Sequence, residues 1–420
     1  MAEDRRPRRR RGGHRNRYRG RAGKEAVPVD PEALALEAEH RSDLEIPQAL
    51  ISQDALRVVE SLEHAGHLAY VVGGCVRDLA LGRSPKDFDV ATSARPEQVR
   101  RLFRNARIIG RRFRLVHVRF GQDRLIEVAT FRRSPDQEAD GDLLVEADNV
   151  FGDPREDALR RDFTVNGLFY TPRDGGRVID YVGGCKDLEA RLLRSIGDAD
   201  VRCQEDPVRM IRAIRFAAKH GLKLTPALRK AINKNSAAIH RCAGARLWEE
   251  LLKVMRSGAA KPALALADRT GFLAAFLPDY AAVYSERQAD CEVALGGLDN
   301  LVRERGTPPS DHVLVAALLV PMLDAHRPRR QAEEILSQWN EIFRIPNRLR
   351  ERVVFSLLAV RGMVPDGPWV EADDLSRRSL FAPAMDLLEL LVAGQGRGAR
   401  LLKYWEHRRQ PPIDEENGSQ

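Results

Sequence analysis

The hydrophobic pattern of the chain changes near residue 198. Before this point, short apolar runs alternate with polar residues at a period of two, which is typical of β-strands, and segments of helical periodicity separate them. Beyond it, apolar residues recur only at helical spacing. The pattern therefore predicts an α+β fold, in which a small mixed-sheet head precedes an all-α remainder.

The head is predicted to mix strands with helices, and the remainder to be helical. Strands are expected at 67–72, around 87–90, and at 112–120, 125–131 and 177–181, with a hairpin turn at 121–124. Helices are expected in the head at 48–64, 75–81 and 96–103, with a helix or helix-turn at 157–170. Residues 25–45 are interpreted as linker and 133–155 as loop. Later helices are expected at 205–220, 243–255, 264–276, 312–323, 330–343, 349–360 and 384–392.

One stretch at 71–90, VVGGCVRDLALGRSPKDFDV, joins two chemical elements. Gly73 and Gly74 follow a buried strand and precede a helix, so the backbone can approach a phosphate and the helix N-terminus offers free N–H groups. Asp87 and Asp89 are two residues apart, so in a strand they project side by side. Such a carboxylate pair suits a hard divalent cation, and Mg²⁺ is the usual one where phosphates are present.

Each element of this stretch also has a purely structural interpretation. A Gly-Gly turn alone is only a turn, and an Asp-x-Asp pair alone is solvated surface. The elements follow one another in the order strand, Gly-Gly, helix, turn and Asp-x-Asp. This order indicates a metal-dependent phosphoryl or nucleotidyl transferase.

Two later segments add candidate polar groups. Glu127 lies in IEVATF, on the strand face away from Ile126 and Val128, and is either solvated or completes a carboxylate cluster. Asp162 is either a third acidic group or a ribose contact, and Asn166 lies one helical turn further on the same face. The alternative is a helix surface with a capping aspartate.

The segment Glu205-Asp206-Pro207-Val-Arg209 is predicted to open the helix 205–220. Asp206 before a proline is good N-cap chemistry. Alternatively, Asp206 accepts from a base amino group and Arg209 donates to the adjacent ring nitrogen, because a spacing of three places both on one helix face. Adenine and cytosine offer this edge, whereas uracil and guanine offer its reverse, so the pair does not separate A from C.

The charge of the chain is concentrated at its N-terminus. The 420 residues carry a net charge of +8, and residues 1–24 alone hold ten Arg and one Lys against two acidic residues. The body is therefore nearly neutral, and the tail is too polar to fold on its own. Residues 5–21 suit attraction to a polyanion such as RNA; a solubilising tail is the alternative.

Composition excludes several other classes. No apolar run reaches the about 18 residues of a transmembrane helix, and no apolar segment resembles a secretory signal. The five cysteines form no Cys-x-x-Cys pair, which indicates reduced thiols rather than a zinc site or a disulfide framework. We expect a cytoplasmic protein without membrane contact.

Five segments resemble the class II tRNA nucleotidyltransferase and bacterial poly(A) polymerase family, within the DNA polymerase β-like nucleotidyltransferase superfamily. They are GGCVRD (73–78), KDFDVAT (86–92), IEVATFR (126–132), RRDFTVNGL (160–168) and EDPVRMIRAIRFAA (205–218).

Residues 108–120 are similar to the poly(A) polymerase branch of this family. Phe113-Arg114-Leu115 stand where CCA-adding members typically carry Phe-Gly-Thr. The C-terminus departs from the branch, because it ends in IDEENGSQ rather than in a long basic tail. This departure weakens any expectation of RNA binding at the C-terminus.

The resemblance implies roles for thirteen residues. Asp87 and Asp89 are expected to bind two Mg²⁺ ions, with Glu127 or Asp162 as the third acidic group. The triphosphate site is expected to be shaped by Gly73, Gly74, Arg77 and Asp78, and Arg161 is also expected to bind the nucleotide. The ribose is expected to lie near Asp162 and Asn166. The base is expected to be read by Asp206 and Arg209, with Glu205 orienting Arg209.

The implied activity is template-independent addition of AMP from ATP to RNA 3′ ends, which promotes RNA turnover. CCA addition to tRNA and a non-catalytic RNA-binding role are the alternatives. The implied segments are a disordered tail and linker (1–47), a catalytic nucleotidyltransferase head (48–197), a helical neck that recognises the base (198–256), an elongated RNA-binding helical body (257–410) and a disordered end (411–420).

Overall fold

The computed structural model describes residues 31–110, 114–121, 124–133, 151–324, 327–364 and 381–408. Its main sheet contains β1 (Ala69–Val72), β2 (Asp89–Thr92), β3 (Ala106–Ile109), β4 (Leu115–Phe120), β5 (Arg124–Thr130), β6 (Leu168–Thr171) and β7 (Arg177–Asp180). The strand order is β3-β4-β5-β2-β1-β6-β7, with β2 and β5 parallel and the other neighbours antiparallel. A separate parallel pair consists of β8 (Leu192–Leu193) and β9 (Lys223–Leu224).

Helices surround the sheet and form the rest of the described chain. In the head they are α1 (Pro31–Glu39), α2 (Gln53–His64), α3 (Gly74–Ala80), α4 (Pro96–Leu102), α5 (Pro154–Leu159) and α6 (Gly184–Glu189). The next are α7 (Ala199–Glu205), α8 (Val208–His220), α9 (Pro226–Asn235), α10 (Gly244–Met255), α11 (Ala260–Arg269), α12 (Phe272–Phe276) and α13 (Pro278–Glu286). The last are α14 (Gln288–Arg305), α15 (Asp311–Leu319), α16 (Pro328–Phe343), α17 (Asn347–Met363), α18 (Phe381–Gln395) and α19 (Ala399–Glu406).

The two faces of the main sheet are covered differently. Val71, Val90 and Val128 point to the face packed by α2 and α4 and join the large hydrophobic core. Tyr70 and Phe169 point to the opposite face, where side chains of α1 and α5 complete a smaller cluster. At β3, β4 and β5 this second face stays open to solvent, as the exposed side chains along it show.

The large hydrophobic core continues from the head into the helical part. Trp248, Phe276 and Phe343 pack ring against ring, which joins α10, α12 and α16. Helices α14 and α18 cross so closely that a Cβ on Gly297 would lie 1.7 Å from the Leu390 carbonyl oxygen. The structure therefore confirms the α+β class, with a mixed-sheet head and a helical remainder; the segment boundaries stay predictions.

The segment after the tail is not a linker, which corrects the expectation for residues 25–45. Residues 31–39 form α1, and the fully buried Glu37 accepts a hydrogen bond from the Tyr70 hydroxyl at 2.9 Å and pairs with Arg173. Ser42 then donates its N–H to the Val178 carbonyl on β7. These long-range contacts order the segment, and periodicity alone does not reveal them.

The predicted helix-turn at 157–170 is wrong over most of its length. Helix α5 ends at Leu159, a 3-10 turn covers Thr164–Asn166, and β6 begins at Leu168. Phe169 and Tyr170 are fully buried on opposite sheet faces, and burial on both faces removes the alternation that predicts a strand.

Other predicted elements differ in their ends. Strand β3 was not predicted, and the predicted helix at 264–276 breaks at Gly271, whose φ of +72° favours glycine. The all-α expectation after 198 also misses the two-residue β9. The tail, the turn tip at 122–123, the loop at 134–150 and the end at 411–420 lie outside the described residues. None of the described helices is long and apolar enough to span a membrane.

Candidate active site

Three carboxylates meet at one edge of the open sheet face. Asp89 begins β2 and pairs in register with Glu127 of the parallel strand β5. Their neighbours Val90 and Val128 point into the core, so both carboxylates point to the opposite face. Asp87 lies two residues before Asp89, outside the strand, which corrects the expectation that both aspartates belong to one strand.

Arg161 compensates the negative charge of the carboxylate cluster only in part. Loss of solvent around the side chain, followed by repulsion from Glu127 and Asp87, raises the pKa of Asp89 to about 6, although Arg161 partly opposes the change. A divalent cation between these oxygens would remove the repulsion, so the donor set fits Mg²⁺. Within the described ranges, no group of three or more His, Cys, Asp or Glu side chains lies in an arrangement that could hold a metal ion.

The Gly-Gly turn lies beside this cluster. Gly73 follows β1 with a φ of +76°, and Gly74 begins α3. A Cβ on Gly73 would lie 3.0 Å from Nη1 of Arg161, so a side chain there would displace that guanidinium. The turn therefore requires glycine both for its backbone and for the close approach of Arg161.

Arg161 is held by two groups. Its Nε and Nη2 donate to Asp157 at 3.2 and 2.8 Å, and its Nη1 donates to the Asn166 carbonyl at 3.2 Å. The guanidinium also lies over the Phe169 ring, 5.1 Å from its centroid. A cation fixed next to the turn and to Asp89 is suited to an anionic ligand.

Asn166 connects two charged groups. Its Oδ1 accepts from Nη1 of Arg77 at 2.5 Å, and its Nδ2 donates to Oδ1 of Asp162 at 3.0 Å. Arg77 is buried, and its Nε and Nη2 donate to Asp78 at 3.0 and 2.8 Å. Asp78 thus faces Arg77, and hydrogen bonds through Asn166 join Arg77, Arg161 and Asp162 into one network.

Asp162 belongs to this network and not to the carboxylate cluster. Its Oδ2 accepts from Nε and Nη2 of Arg212 at 2.9 and 2.5 Å, and its Oδ1 accepts from the Phe163 N–H. Burial alone would raise the pKa of Asp162, but Arg212 and these hydrogen bonds hold that pKa below its usual range. Between the two candidates for the third acidic group, the geometry favours Glu127.

The base-reading segment is arranged differently from the prediction. Glu205 ends α7, Asp206 lies between two helices, and α8 begins at Val208, so no single helix runs from 205 to 220. The Asp206 side chain caps neither helix. Instead, its Oδ1 and Oδ2 accept hydrogen bonds from Nη1 and Nη2 of Arg246, at 2.9 and 2.7 Å. Arg209 lies 3.4 Å from Glu205, as expected if Glu205 orients it.

Several supporting residues were missed from the sequence. Arg212 follows Arg209 by three residues on α8, a repeat of basic residues that could have identified it. Arg202 anchors α7 to the carbonyls of Arg160 and Arg161, at 2.7 and 2.9 Å. Arg246 lies 40 residues from its partner Asp206, and no local pattern links the two.

Two family models match parts of this chain. Residues 69–194 match the family model described as Poly A polymerase head domain. Residues 221–283 match a second model, described as Probable RNA and SrmB-binding site of polymerase A.

Two curated proteins are similar to different lengths of this chain. Poly(A) polymerase I of Escherichia coli O6:H1 is 50% identical over 217 residues, which cover 50% of this chain and 46% of that protein. The chain thus spans about half the length of these poly(A) polymerase I relatives. The CCA-adding enzyme of Geobacillus stearothermophilus is 32% identical over 358 residues, which cover 82% of this chain and 86% of that protein. The chain belongs to the tRNA nucleotidyltransferase and poly(A) polymerase family.

A solved structure of this family supports the fold. The CCA-adding enzyme of Bacillus stearothermophilus in complex with CTP aligns with a TM-score of 0.67 and 27% identity, and covers 85% of this chain and 81% of the other. The similarity extends beyond the head into the helical part, where the sequence resemblance was loose.

Proposed function

We propose that this protein adds AMP from ATP to RNA 3′ ends without a template. The observation that carries the proposal is the placement of Asp87, Asp89 and Glu127 directly beside the Gly73 turn and its arginine network. This arrangement combines a cation site with a triphosphate site, which is what nucleotidyl transfer requires.

In this proposal Asp87 and Asp89 would hold two Mg²⁺ ions. Bound Mg²⁺ would activate the RNA 3′-hydroxyl and neutralise the charge of the leaving pyrophosphate. Glu127 supplies the third carboxylate. The protein contributes positioning and charge rather than covalent chemistry.

The network around Asn166 would bind the rest of ATP. Arg161 lies beside the turn, and three of its five N–H groups donate to Asp157 and Asn166, which leaves two to donate to a phosphate, since guanidinium groups match phosphate oxygens. Asp162 and Asn166 offer hydrogen bonds to the ribose. Arg77 and Arg212 fix these two side chains before the nucleotide arrives, so little ordering remains to be done on binding.

Asp206 and Arg209 would read the adenine edge. In this structure Asp206 pairs with Arg246, and both side chains are partly exposed, with 25% and 54% of their surface accessible. An ion pair of this kind contributes only about 0–1 kcal/mol, so a base can compete for the carboxylate. Arg246 would then serve to hold Asp206 in place.

The alternative is CCA addition to tRNA, and one observation favours it: a relative that matches 82% of the chain is a CCA-adding enzyme. Higher identity to poly(A) polymerase I, 50% over 217 residues, together with Phe113-Arg114-Leu115, favours polyadenylation.

Offering each nucleoside triphosphate separately, with a generic RNA and with a tRNA lacking its last three nucleotides, distinguishes the two. We expect long A tracts on both RNAs from ATP alone. Incorporation confined to C, C and A on the tRNA would establish the alternative, and no incorporation at all would reject both enzymatic functions.

A further inference from the structure

The open face of β3, β4 and β5 presents a row of basic side chains. We call the surface formed by Arg107, His117, Arg119 and Leu125 the acceptor face. On β4, His117 and Arg119 alternate with Val116 and Val118, which lie in the core, so both point to the side opposite the core. Arg107 pairs with His117 across β3 and β4 and points the same way.

The acceptor face continues directly from the carboxylate cluster. His117 pairs in register with Glu127, which pairs with Asp89, so the three side chains lie on adjacent strands. Nε2 of His117 lies 3.4 Å from Oε2 of Glu127. Adjacent strands are about 4.8 Å apart, so His117 lies about 10 Å from Asp89 along this row.

The arginines of this face are free, unlike those of the nucleotide network. Arg107 and Arg119 are exposed, and neither guanidinium has an ion pair or hydrogen bond with any part of the chain that the structure describes. Leu125, opposite Arg119, is 40% exposed and adds apolar surface. Free guanidiniums beside an apolar patch suit a nucleic acid strand, whose phosphates need cations and whose bases and sugars pack on apolar groups.

The position of the nucleotide network indicates which strand this would be. The Gly73 turn and Asn166 lie on the β1 and β6 side of the carboxylates, which the triphosphate would fill. Attack in line with the leaving group brings the RNA 3′-oxygen from the opposite side of the α-phosphate. On the sheet, that opposite side is β5, β4 and β3.

We propose that the acceptor face binds the last nucleotides of the RNA acceptor, with Arg107 and Arg119 contacting their phosphates. This inference rests on the proposed nucleotidyl transfer. It adds the direction from which the RNA 3′ end enters and the residues that hold it there.

The test combines Arg107→Ala and Arg119→Ala in one variant. We expect the KM for a short RNA to rise about tenfold or more, because two charge-assisted contacts are lost, while the KM for ATP and the kcat at saturating RNA change less than about twofold. The slope of log RNA affinity against log salt should flatten by about 1.4, the value for two phosphates on a single strand. Arg100→Ala is the matched control, because Arg100 is an exposed arginine on α4, which packs on the opposite sheet face.

A second measurement is independent of catalysis. RNA carrying a photoreactive base at its 3′ end should crosslink to residues 105–110 or 114–121 of the wild-type protein, and the double variant should lose this crosslink. Wild-type protein that incorporates no nucleotide but gives the crosslink would reject the proposed function and keep the acceptor face. Incorporation with an unchanged RNA KM in the folded double variant, or crosslinks only elsewhere, would overturn the inference and leave the proposed function standing.

Discussion

The two flanks of the carboxylate cluster use arginine in opposite ways. On the β1 and β6 flank, Arg77, Arg161 and Arg212 are each hydrogen-bonded to a carboxylate. On the β4 and β3 flank, Arg107 and Arg119 have no such partner within the described residues. A fixed network suits one nucleotide in one geometry, whereas free arginines suit a polymer of any sequence. In the proposed function, this difference lets one active site bind a single nucleotide strictly and RNA of any sequence permissively.

Loss of the cluster between the flanks should have the largest effect. Asp87→Ala or Asp89→Ala should lower incorporation by several orders of magnitude, on the scale of losing a metal site, while the protein stays folded. Single-turnover incorporation with Mg²⁺, run beside a thermal melt, measures this. Near-normal activity in either variant is the result that opposes the two-ion assignment.

ATP binding at the flank with the fixed arginine network should weaken when Asp162 loses its charge. Asp162→Asn leaves Arg212 without its ion pair, so the KM for ATP should rise about tenfold to a hundredfold, and the melting temperature should fall. Asp311→Asn is the control, because it breaks the 2.7 Å pair with Arg256 far from the site. Equal effects of both variants on the ATP KM would mean that the Asp162 effect is only loss of stability.

Base selection should respond to Asp206. In Asp206→Ala the amino group of the bound base loses its acceptor, and an unsatisfied buried polar group costs roughly 1–3 kcal/mol. The variant should therefore discriminate between bases less well, by about one to two orders of magnitude, and use relatively more UTP or GTP. Arg246→Ala should change discrimination less, because it leaves both base-reading groups in place. Kinetics with all four nucleotides compare the two variants; a strong preference for ATP that survives Asp206→Ala contradicts base reading by this residue.

The basic tail should strengthen RNA binding by the flank that carries Arg107 and Arg119, without changing ATP binding at the other flank. Deleting residues 1–24 removes the net positive charge of the chain, so RNA affinity should fall and its salt dependence should flatten, with ATP affinity nearly unchanged. The measurement is log RNA affinity against log salt for both proteins. An unchanged slope excludes the tail as a main phosphate contact.

The smallest expected effect is on stability. The pKa of Asp89 is raised from 3.8 to about 6, so the cost of its charge is absent below about pH 4 and complete above about pH 6. Without divalent cations, Asp89→Asn should therefore match the wild type in melting temperature at pH 4 and exceed it slightly at pH 7 and above. The gain should be small because Asp89 as a residue remains exposed, so solvent screens its charge even though neighbouring atoms partly desolvate the carboxylate. Added Mg²⁺ should stabilise only the wild type.

The sequence was sufficient for the local parts of this site. The Gly73 turn and the carboxylates Asp87, Asp89 and Glu127 are short motifs whose spacing carries their geometry. It was insufficient for the partners that tertiary contacts supply. Asp162 belongs with Arg212, 50 residues away, and Asp206 with Arg246, 40 residues away, so the choice of third carboxylate and the state of the base-reading pair required the fold.

The same limit applies to the fold. Amphipathic helices such as α10 were predicted to within a residue of their ends, because one face carries the pattern. Strand β6 and helix α1 were not predicted, since β6 is buried on both faces and α1 is held by a buried ion pair of Glu37 that local patterns do not encode.

One kinetic comparison tests the division of the two flanks most directly. The KM for ATP and the KM for a short RNA are measured for wild type, Asp162→Asn and the variant lacking both Arg107 and Arg119 side chains. We predict that Asp162→Asn raises only the ATP value, and that the double arginine variant raises only the RNA value. If either variant raises both values equally, the two flanks are not separate binding surfaces.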